Sequence, residues 1–397
     1  MADPAREHDL VLFGATGFTG TLTAEHLARH APAQARWALA GRNRAKLEAL
    51  RDRLAGLEPR WADLPLLHAD VDDRASLDAI ARAARVVITT VGPYVTYGAP
   101  LVAACAAAGT DYCDLTGEFE FVDRMYVAHH AEAVRTGARL VHCCGFDSIP
   151  HDLGAQFTVQ QLPEGVPLEV RGFVRAMGMI SGGTFHSVVT GFSRPRQNME
   201  AARARKAAEP PPPPGRSIRG LRTKPYREPA IDAWAIPLPT IDPQVVLRSA
   251  AAQERYGPDF RYGHHAWVKH LVTAAGAGVG LTGAFLAAQL PPTRKLLLKA
   301  IAQGDGPSEE RRAKSWFTVR FTGVGGGRRV VTEVTGGDPG YTETAKMLAQ
   351  TGLSLAFDDV APTAGQVTTA AALGDALRER LMAQGIAFNV VAEGAAA

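Results

Sequence analysis

Asp9-Leu-Val-Leu-Phe-Gly-Ala-Thr-Gly-Phe-Thr-Gly20 is the stretch on which the fold turns. Residues 10–13 are an unbroken apolar run, as expected of a strand covered on both faces of a parallel sheet. Gly14, Gly17 and Gly20 follow at three-residue spacing, and residues 21–30 read as a helix with Leu22 and Leu27 on its inner side. A strand that turns over glycines into a helix leaves peptide N–H groups free at the positive end of that helix, where a diphosphate can sit. Glycine is needed because a Cβ would block the turn or the phosphate. Gly14, Thr16, Gly17, Phe18 and Thr19 are therefore the expected diphosphate contacts. The bland alternative is a strand–helix turn that happens to be rich in glycine, and the segments that follow argue against it.

Working outward, residues 36–40 read as a second strand, ending in Gly41-Arg42-Asn43-Arg44. A site for NAD usually has Asp or Glu at this strand end to grip the ribose 2′-hydroxyl. Here there is no carboxylate, and a guanidinium suits a 2′-phosphate by charge and paired hydrogen bonds. The expected cofactor is NADP(H), with Gly41 and Arg42 at the 2′-phosphate; Arg44 reads as a solvated residue at the start of the next helix. Residues 66–69 form a third strand, and Asp70 and Val71 after it are placed for the adenine, although a polar residue there also serves as a helix cap. Residues 85–91 form a fourth, ending in Val91-Gly92-Pro93-Tyr94, which faces the nicotinamide half. Tyr94 and Tyr97 are then close to the reacting ring. Strands over 111–115 and 139–143 alternate with helices over 100–108 and 119–135. That alternation predicts βαβ units and a doubly wound parallel sheet, an α/β fold.

Taken together, Gly-Ala-Thr-Gly-Phe-Thr-Gly20, Ala-Gly-Arg42, Thr-Thr-Val-Gly-Pro-Tyr94, Gly109-Thr-Asp-Tyr-Cys-Asp-Leu-Thr-Gly-Glu118 and Cys144-Gly-Phe-Asp-Ser-Ile-Pro150 resemble the saccharopine dehydrogenase-like oxidoreductases, and among them the bacterial trans-acting enoyl reductases. Ser181-Gly-Gly-Thr184 and Gly337-Asp-Pro-Gly-Tyr-Thr-Glu-Thr344 are later echoes. The resemblance implies an NADP-binding Rossmann domain over residues 1–146 and a second α/β (α+β) domain over 147–362. It also implies a C-terminal helix within 363–397 that packs back on the first domain. It implies an NADPH-dependent reduction of a C=C bond in a lipid-like or polyketide acyl substrate, and leaves open a carrier protein as its bearer. Two other readings stay open: a dehydrogenase acting on a C–N bond, and a non-catalytic NADP-binding or membrane-associated protein.

The remaining chain gives weaker signals. Asp147 and His151 lie in a glycine- and proline-marked turn just past the sixth strand, a place from which a proton can reach a cleft; either is equally readable as structural. Residues 168–177 read as a strand of the second domain, and Ser181 opens a helix reaching about residue 198. Residues 203–229 carry eight Arg or Lys and five consecutive prolines. They read as an exposed loop, or as an arm for acidic lipid or an acidic carrier protein. Residues 271–290 hold no charge, but Gly, Ala and Thr make them too weakly apolar for a convincing membrane span. Peripheral membrane contact and a homodimer are both left open. Residues 316–321 and 329–334 pair around the glycines at 323–327, a helix starts at Tyr341, and Leu373, Leu377 and Leu381 predict an amphipathic helix over 363–384 with frayed residues after it.

Composition narrows the class. The 397 residues suffice for two domains, and a net charge of +3 gives no reason to expect nucleic acid as partner. The four cysteines lack Cys-x-x-Cys spacing, so neither a disulfide framework nor a zinc site is expected, and no metal is assigned. With no apolar segment of signal-peptide type at the start, a cytoplasmic location is the expectation.

Overall fold

A computed structural model describes residues 6–178, 186, 189–211, 213–270, 283, 285–300 and 306–396. The first six strands are β1 (His8–Phe13), β2 (Trp37–Gly41), β3 (Leu66–His68), β4 (Ala84–Thr89), β5 (Asp111–Cys113) and β6 (Arg139–Val141). The next seven are β7 (Leu168–Met177), β8 (Ser217–Gly220), β9 (Tyr226–Glu228), β10 (Ala233–Pro237), β11 (Asp259–Val268), β12 (Trp316–Gly325) and β13 (Arg328–Gly336), followed by β14 (Gly365–Val367) and β15 (Ala387–Ala395). Among the described residues the first sheet runs β14-β6-β5-β4-β1-β2-β3, parallel throughout. The second runs β15-β13-β12-β7-β11-β10-β9, with β8 also paired to β11, and is mixed.

The apolar run of β1 explains the doubly covered sheet. Leu10 and Leu12 enter a core with Leu27, Leu47 and Met347, while Val11 and Phe13 enter another with Leu77, Val102 and Phe121. Successive strand residues point to opposite faces, so both faces of β1 must be roofed by helices. On one side are Phe18–His30, Arg44–Leu57 and Thr342–Phe357; on the other are Arg74–Ala83, Ala99–Ala108 and Phe119–Thr136. Local chemistry sets the ends. Asn43 accepts from the Lys46 amide at 3.0 Å, and Asp73 from the Ala75 and Ser76 amides at 3.1 and 3.3 Å.

Two helices join the sheets. Ile149–Gln160 packs Gly154 against Phe321, where a Cβ would come within 2.4 Å of the ring. Asp152 on the same helix accepts from Thr369 Oγ1 and the Ala370 amide, both at 2.8 Å, and from Ser249. It is thus a structural tie to the first turn of Thr369–Ala372, whose N-cap is Thr368. The β12–β13 hairpin turns on Gly326 and Gly327, both at positive φ, which matches the twist of the flanking strands.

Three expectations need correction. Residues 203–229 are only in part an exposed loop: the described prolines are exposed, but the segment also holds the end of the helix Pro195–Ala208 and the strands β8 and β9. Arg205 is buried, with its guanidinium 4.0 Å over the Tyr126 ring, and Arg216 donates to the Ala250 and Gln253 carbonyls, each at 2.8 Å, at the end of the helix Asp242–Ala252. Long arginine stems pack while their heads satisfy carbonyls, so a basic composition does not by itself mean solvation. Residues 363–384 do not form one helix: β14, Thr369–Ala372 and Gly374–Ala383 divide them, with Gly374 at φ +46° marking the break. Leu373, Leu377 and Leu381 are nevertheless all buried. The end of the chain is not frayed either, since β15 pairs with β13 across the second sheet. Ser181–Thr184, and residues 271–282 and 284 of the uncharged segment, lie outside the described residues. No helix among the described residues is long and apolar enough to cross a membrane.

Candidate functional site

Because the first sheet is wholly parallel, the turns after its strands all open on one edge. Gly14, Thr16, Gly17, Phe18 and Thr19 follow β1; Arg42 follows β2, which ends at Gly41; Asp70 and Val71 follow β3; Val91, Gly92, Pro93 and Tyr94 follow β4. Thr116, Gly117 and Glu118 follow β5, and Asp147 follows β6.

The three glycines of the first turn do different work. Gly14 has φ +81°, and a Cβ on it would meet Val91 Cγ2 at 2.6 Å. A Cβ on Gly20 would come within 2.2 Å of the Gly14 carbonyl oxygen, so no side chain fits between helix and turn. A Cβ on Gly17 would meet only that same oxygen, at 3.5 Å. Protein atoms therefore crowd the first and third glycines and leave the middle one facing open space beside the helix N-terminus. That is the cradle a diphosphate requires. Thr90 Oγ1 donates to Gly14 O at 3.0 Å and fixes the turn to the end of β4.

The two arginines after β2 also separate. Arg44 donates to Glu48 at 2.9 Å and to Leu66 O at 3.0 Å. Arg42 is exposed and makes no hydrogen bond or ion pair among the described residues. A free guanidinium at this strand end fits a 2′-phosphate. Asp70 is half-buried, with Oδ1 accepting from the Asp72 amide at 3.2 Å, and Val71 lies beside it, half-buried.

At the other end of the crevice Tyr94 does not serve as first expected. Tyr94 is buried, its hydroxyl donating to Thr89 O at 3.1 Å and accepting from the Leu115 amide at 3.2 Å. Burial pushes its ionisation far up, and the phenol is occupied by two backbone groups, so Tyr94 ties β4 to β5 and is not a proton donor. The amides of Tyr94 and Val95 instead bond the Glu118 carboxylate, at 3.0 and 2.7 Å. Tyr97 is exposed on the last turn of the short helix Tyr94–Tyr97.

Asp147 and His151 do come together, with two residues from far along the chain. His151 Nδ1 lies 3.0 Å from Asp242 Oδ1, and His264 Nε2 lies 3.5 Å from Asp242 Oδ2. The two imidazoles sit edge to face at 4.9 Å, and Thr240 Oγ1 donates to Asp242. All three residues are buried, and Nε2 of His151 has no hydrogen-bond partner among the described residues. Burial pushes His264 down to about 3, so it is neutral at ordinary pH. Burial also works against ionising Asp242, yet its carboxyl ends below the usual range; with His264 neutral, that direction rests on the His151 contact and the Thr240 hydroxyl. Asp147 is half-buried, with its carboxyl pushed up to about 6 by desolvation and then by the charge of Asp242. A carboxyl near 6 can hold or give a proton close to neutral pH. The ligand atoms of His151, Asp242 and His264 lie within 4.8 Å of one another, so the same three side chains could also hold a divalent cation. The four cysteines are free and buried. Sequence reading missed Asp242 and His264, because nothing near either marks it.

Comparison with known proteins agrees with this geometry. The model of the saccharopine dehydrogenase NADP-binding domain matches residues 10–141. A protein of Mycobacterium tuberculosis (strain ATCC 25618 / H37Rv) named "Putative trans-acting enoyl reductase" is 40% identical over 98% of this chain and 99% of its own. A trans-acting enoyl reductase of Mycobacterium ulcerans is 36% identical over the same shares. Among solved structures, apo saccharopine dehydrogenase (L-Glu forming) of Saccharomyces cerevisiae superposes with a TM-score of 0.52 over 98% of this chain and 100% of that one, at 13% identity, a likeness of fold.

Proposed function

Because the chain belongs to the saccharopine dehydrogenase-like family, alongside the trans-acting enoyl reductases, we propose that it reduces the C=C bond of an α,β-unsaturated acyl thioester delivered by another protein. It is an NADP(H)-dependent oxidoreductase. The observation that carries the enoyl reading is the match to those reductases over nearly the whole length of both chains, second domain included.

Bound NADPH supplies the hydride that adds to the β-carbon. The chain must then bring a proton to the α-carbon and steady the thioester oxygen, where negative charge grows. Asp147 is the proposed proton source: it is half-buried after β6, with Oδ2 beside Gly117 in the turn after β5, and has a carboxyl near 6. His151, held by Asp242 at 3.0 Å, offers its unpartnered Nε2 to the thioester oxygen, and Asp242 is a positioning residue. The acyl group is proposed to be lipid-like or polyketide in character and borne by a carrier protein. Free, buried cysteines support a reducing, cytoplasmic setting.

The test is loss of NADPH absorbance with a 2-enoyl thioester, set beside the same measurement with a 2-imino acid. Oxidation with the thioester alone supports the proposal. Oxidation with the imino acid alone would transfer the chain to C–N chemistry, and tight NADPH binding with neither reaction would leave it a dinucleotide-binding protein.

A further inference from the structure

Four polar atoms in one small buried space lack the partners that burial normally demands. They are Nδ1 and Nε2 of His151, Oδ1 of Asp242 and Nε2 of His264, none with a hydrogen-bond partner among the described residues. His151 lies in the first turn of the helix Ile149–Gln160, Asp242 opens the helix Asp242–Ala252, and His264 is in the middle of β11. No more than 6% of any of the three reaches solvent.

Their contacts are close but not aligned as hydrogen bonds. Nδ1 of His151 and Nε2 of His264 both turn to Asp242, at 3.0 and 3.5 Å, and each stays without a hydrogen bond. An ion bonded at about 2.1 Å to tetrahedral ligands sets them about 3.4 Å apart. The two distances bracket that spacing, and the three ligand atoms all lie within 4.8 Å of one another. The surroundings hold the ligands as the outer partners of a metal site do. Thr240 Oγ1 donates to Asp242 Oδ2 and leaves Oδ1 free. Nδ1 of His264 lies 3.4 Å from the Tyr262 hydroxyl, so this nitrogen can carry the ring proton while Nε2 keeps its lone pair toward Asp242.

We propose that His151 Nδ1, Asp242 Oδ1 and His264 Nε2 bind a divalent ion of the zinc type, in a three-ligand site whose fourth position belongs to water or substrate. Two imidazoles and one carboxylate suit zinc or cobalt, whereas magnesium prefers oxygen ligands alone. With the ion on Nδ1, the ring proton of His151 must sit on Nε2, the atom assigned above to the thioester oxygen. Only that consequence rests on the enoyl reading; the binding site does not.

Binding is measured on the full chain stripped with a chelator, without dinucleotide or substrate, so that a failed enoyl assay leaves the result intact. Zinc should bind once per chain, and cobalt in its place should give the strong visible absorption of a four-coordinate ion with no thiolate band. Asp242→Asn should lower zinc affinity at least about a hundredfold, since loss of even an outer partner costs about 10–100-fold. Nitrogen NMR of the zinc-loaded wild type should show one histidine metallated at Nδ1 and another at Nε2, and this decides the matter if Asp242→Asn does not fold. The proposal is overturned by no zinc binding, by unchanged affinity in Asp242→Asn, or by a thiolate band that moves the ion to the cysteines. Magnesium bound in preference to zinc, or two histidines both metallated at Nε2, overturns it equally.

Discussion

The two ends of the crevice are built on opposite principles. The diphosphate end is made of backbone, from a dozen consecutive residues, and is open to solvent around Thr16 and Gly17. The proton-handling end is made of side chains drawn from three separated segments, and apart from Asp147 it is buried. A ligand held by peptide N–H groups needs only the right turn, and turn chemistry is local. A perturbed carboxyl needs low dielectric and a charged neighbour, and only tertiary packing supplies these. The ends should therefore fail independently: damage to one leaves the other's readout intact.

The largest expected effect tests that independence directly. Asp147→Asn keeps the shape and removes the proton. It should lower kcat for enoyl reduction by about 10²–10⁴-fold, the usual weight of general acid catalysis, while the dissociation constant for NADPH stays put. An Asn variant with wild-type kcat would remove Asp147 from the chemistry. A variant that lost NADPH binding as well would show that the two ends are not separable.

The glycines sharpen the contrast from the other side. Gly20→Ala forces a Cβ against the Gly14 carbonyl and should cost about 3 kcal/mol of stability, at the upper end for overpacking. Gly17→Ala meets no such obstacle, so the melting temperature should hardly move while dinucleotide affinity falls sharply. If both alanines behave alike in melting and in binding, the open space beside Gly17 is not a ligand site.

How much was legible follows the same line. The strand–turn–helix, the missing carboxylate after β2 and the parallel sheet were readable because each is written in consecutive residues. Tyr94 misled: a tyrosine after the nicotinamide-side strand looks reactive, and only packing shows that its hydroxyl is taken by Thr89 and Leu115. Asp242 and His264 were invisible because their meaning comes from His151, far away in the chain. The leucines of 373–381 announced burial correctly, yet periodicity could not show where Gly374 breaks the helix.

A smaller effect separates the phosphates within the diphosphate end. Arg42→Ala should weaken NADPH by about 10- to 100-fold, the weight of one or two charged hydrogen bonds, and leave NADH unchanged. Equal weakening of both would mean that Arg42 supports the turn rather than the 2′-phosphate.

The smallest effect is one of pH, and its sign follows from the direction of the shifts. Asp147 carries its proton up to about 6, against an ordinary 3.8. As a donor it is competent below that value, so kcat should be flat in acid and fall about tenfold per pH unit above about 6. NADH binding, which rests on peptide N–H groups, should stay level over the same range. Folding obeys the matching rule. Asp147 and Asp152 are both raised to about 6 by burial, so the folded chain holds protons that the unfolded chain has released. Their contribution to stability is complete below about 3.8 and is lost as pH rises through about 6. Asp147→Asn should shrink that loss without abolishing it, because Asp152 remains. A kcat that climbed with pH through 6 would turn Asp147 from a donor into a base, and the two ends of the crevice would then differ in construction but not in the chemistry proposed for them.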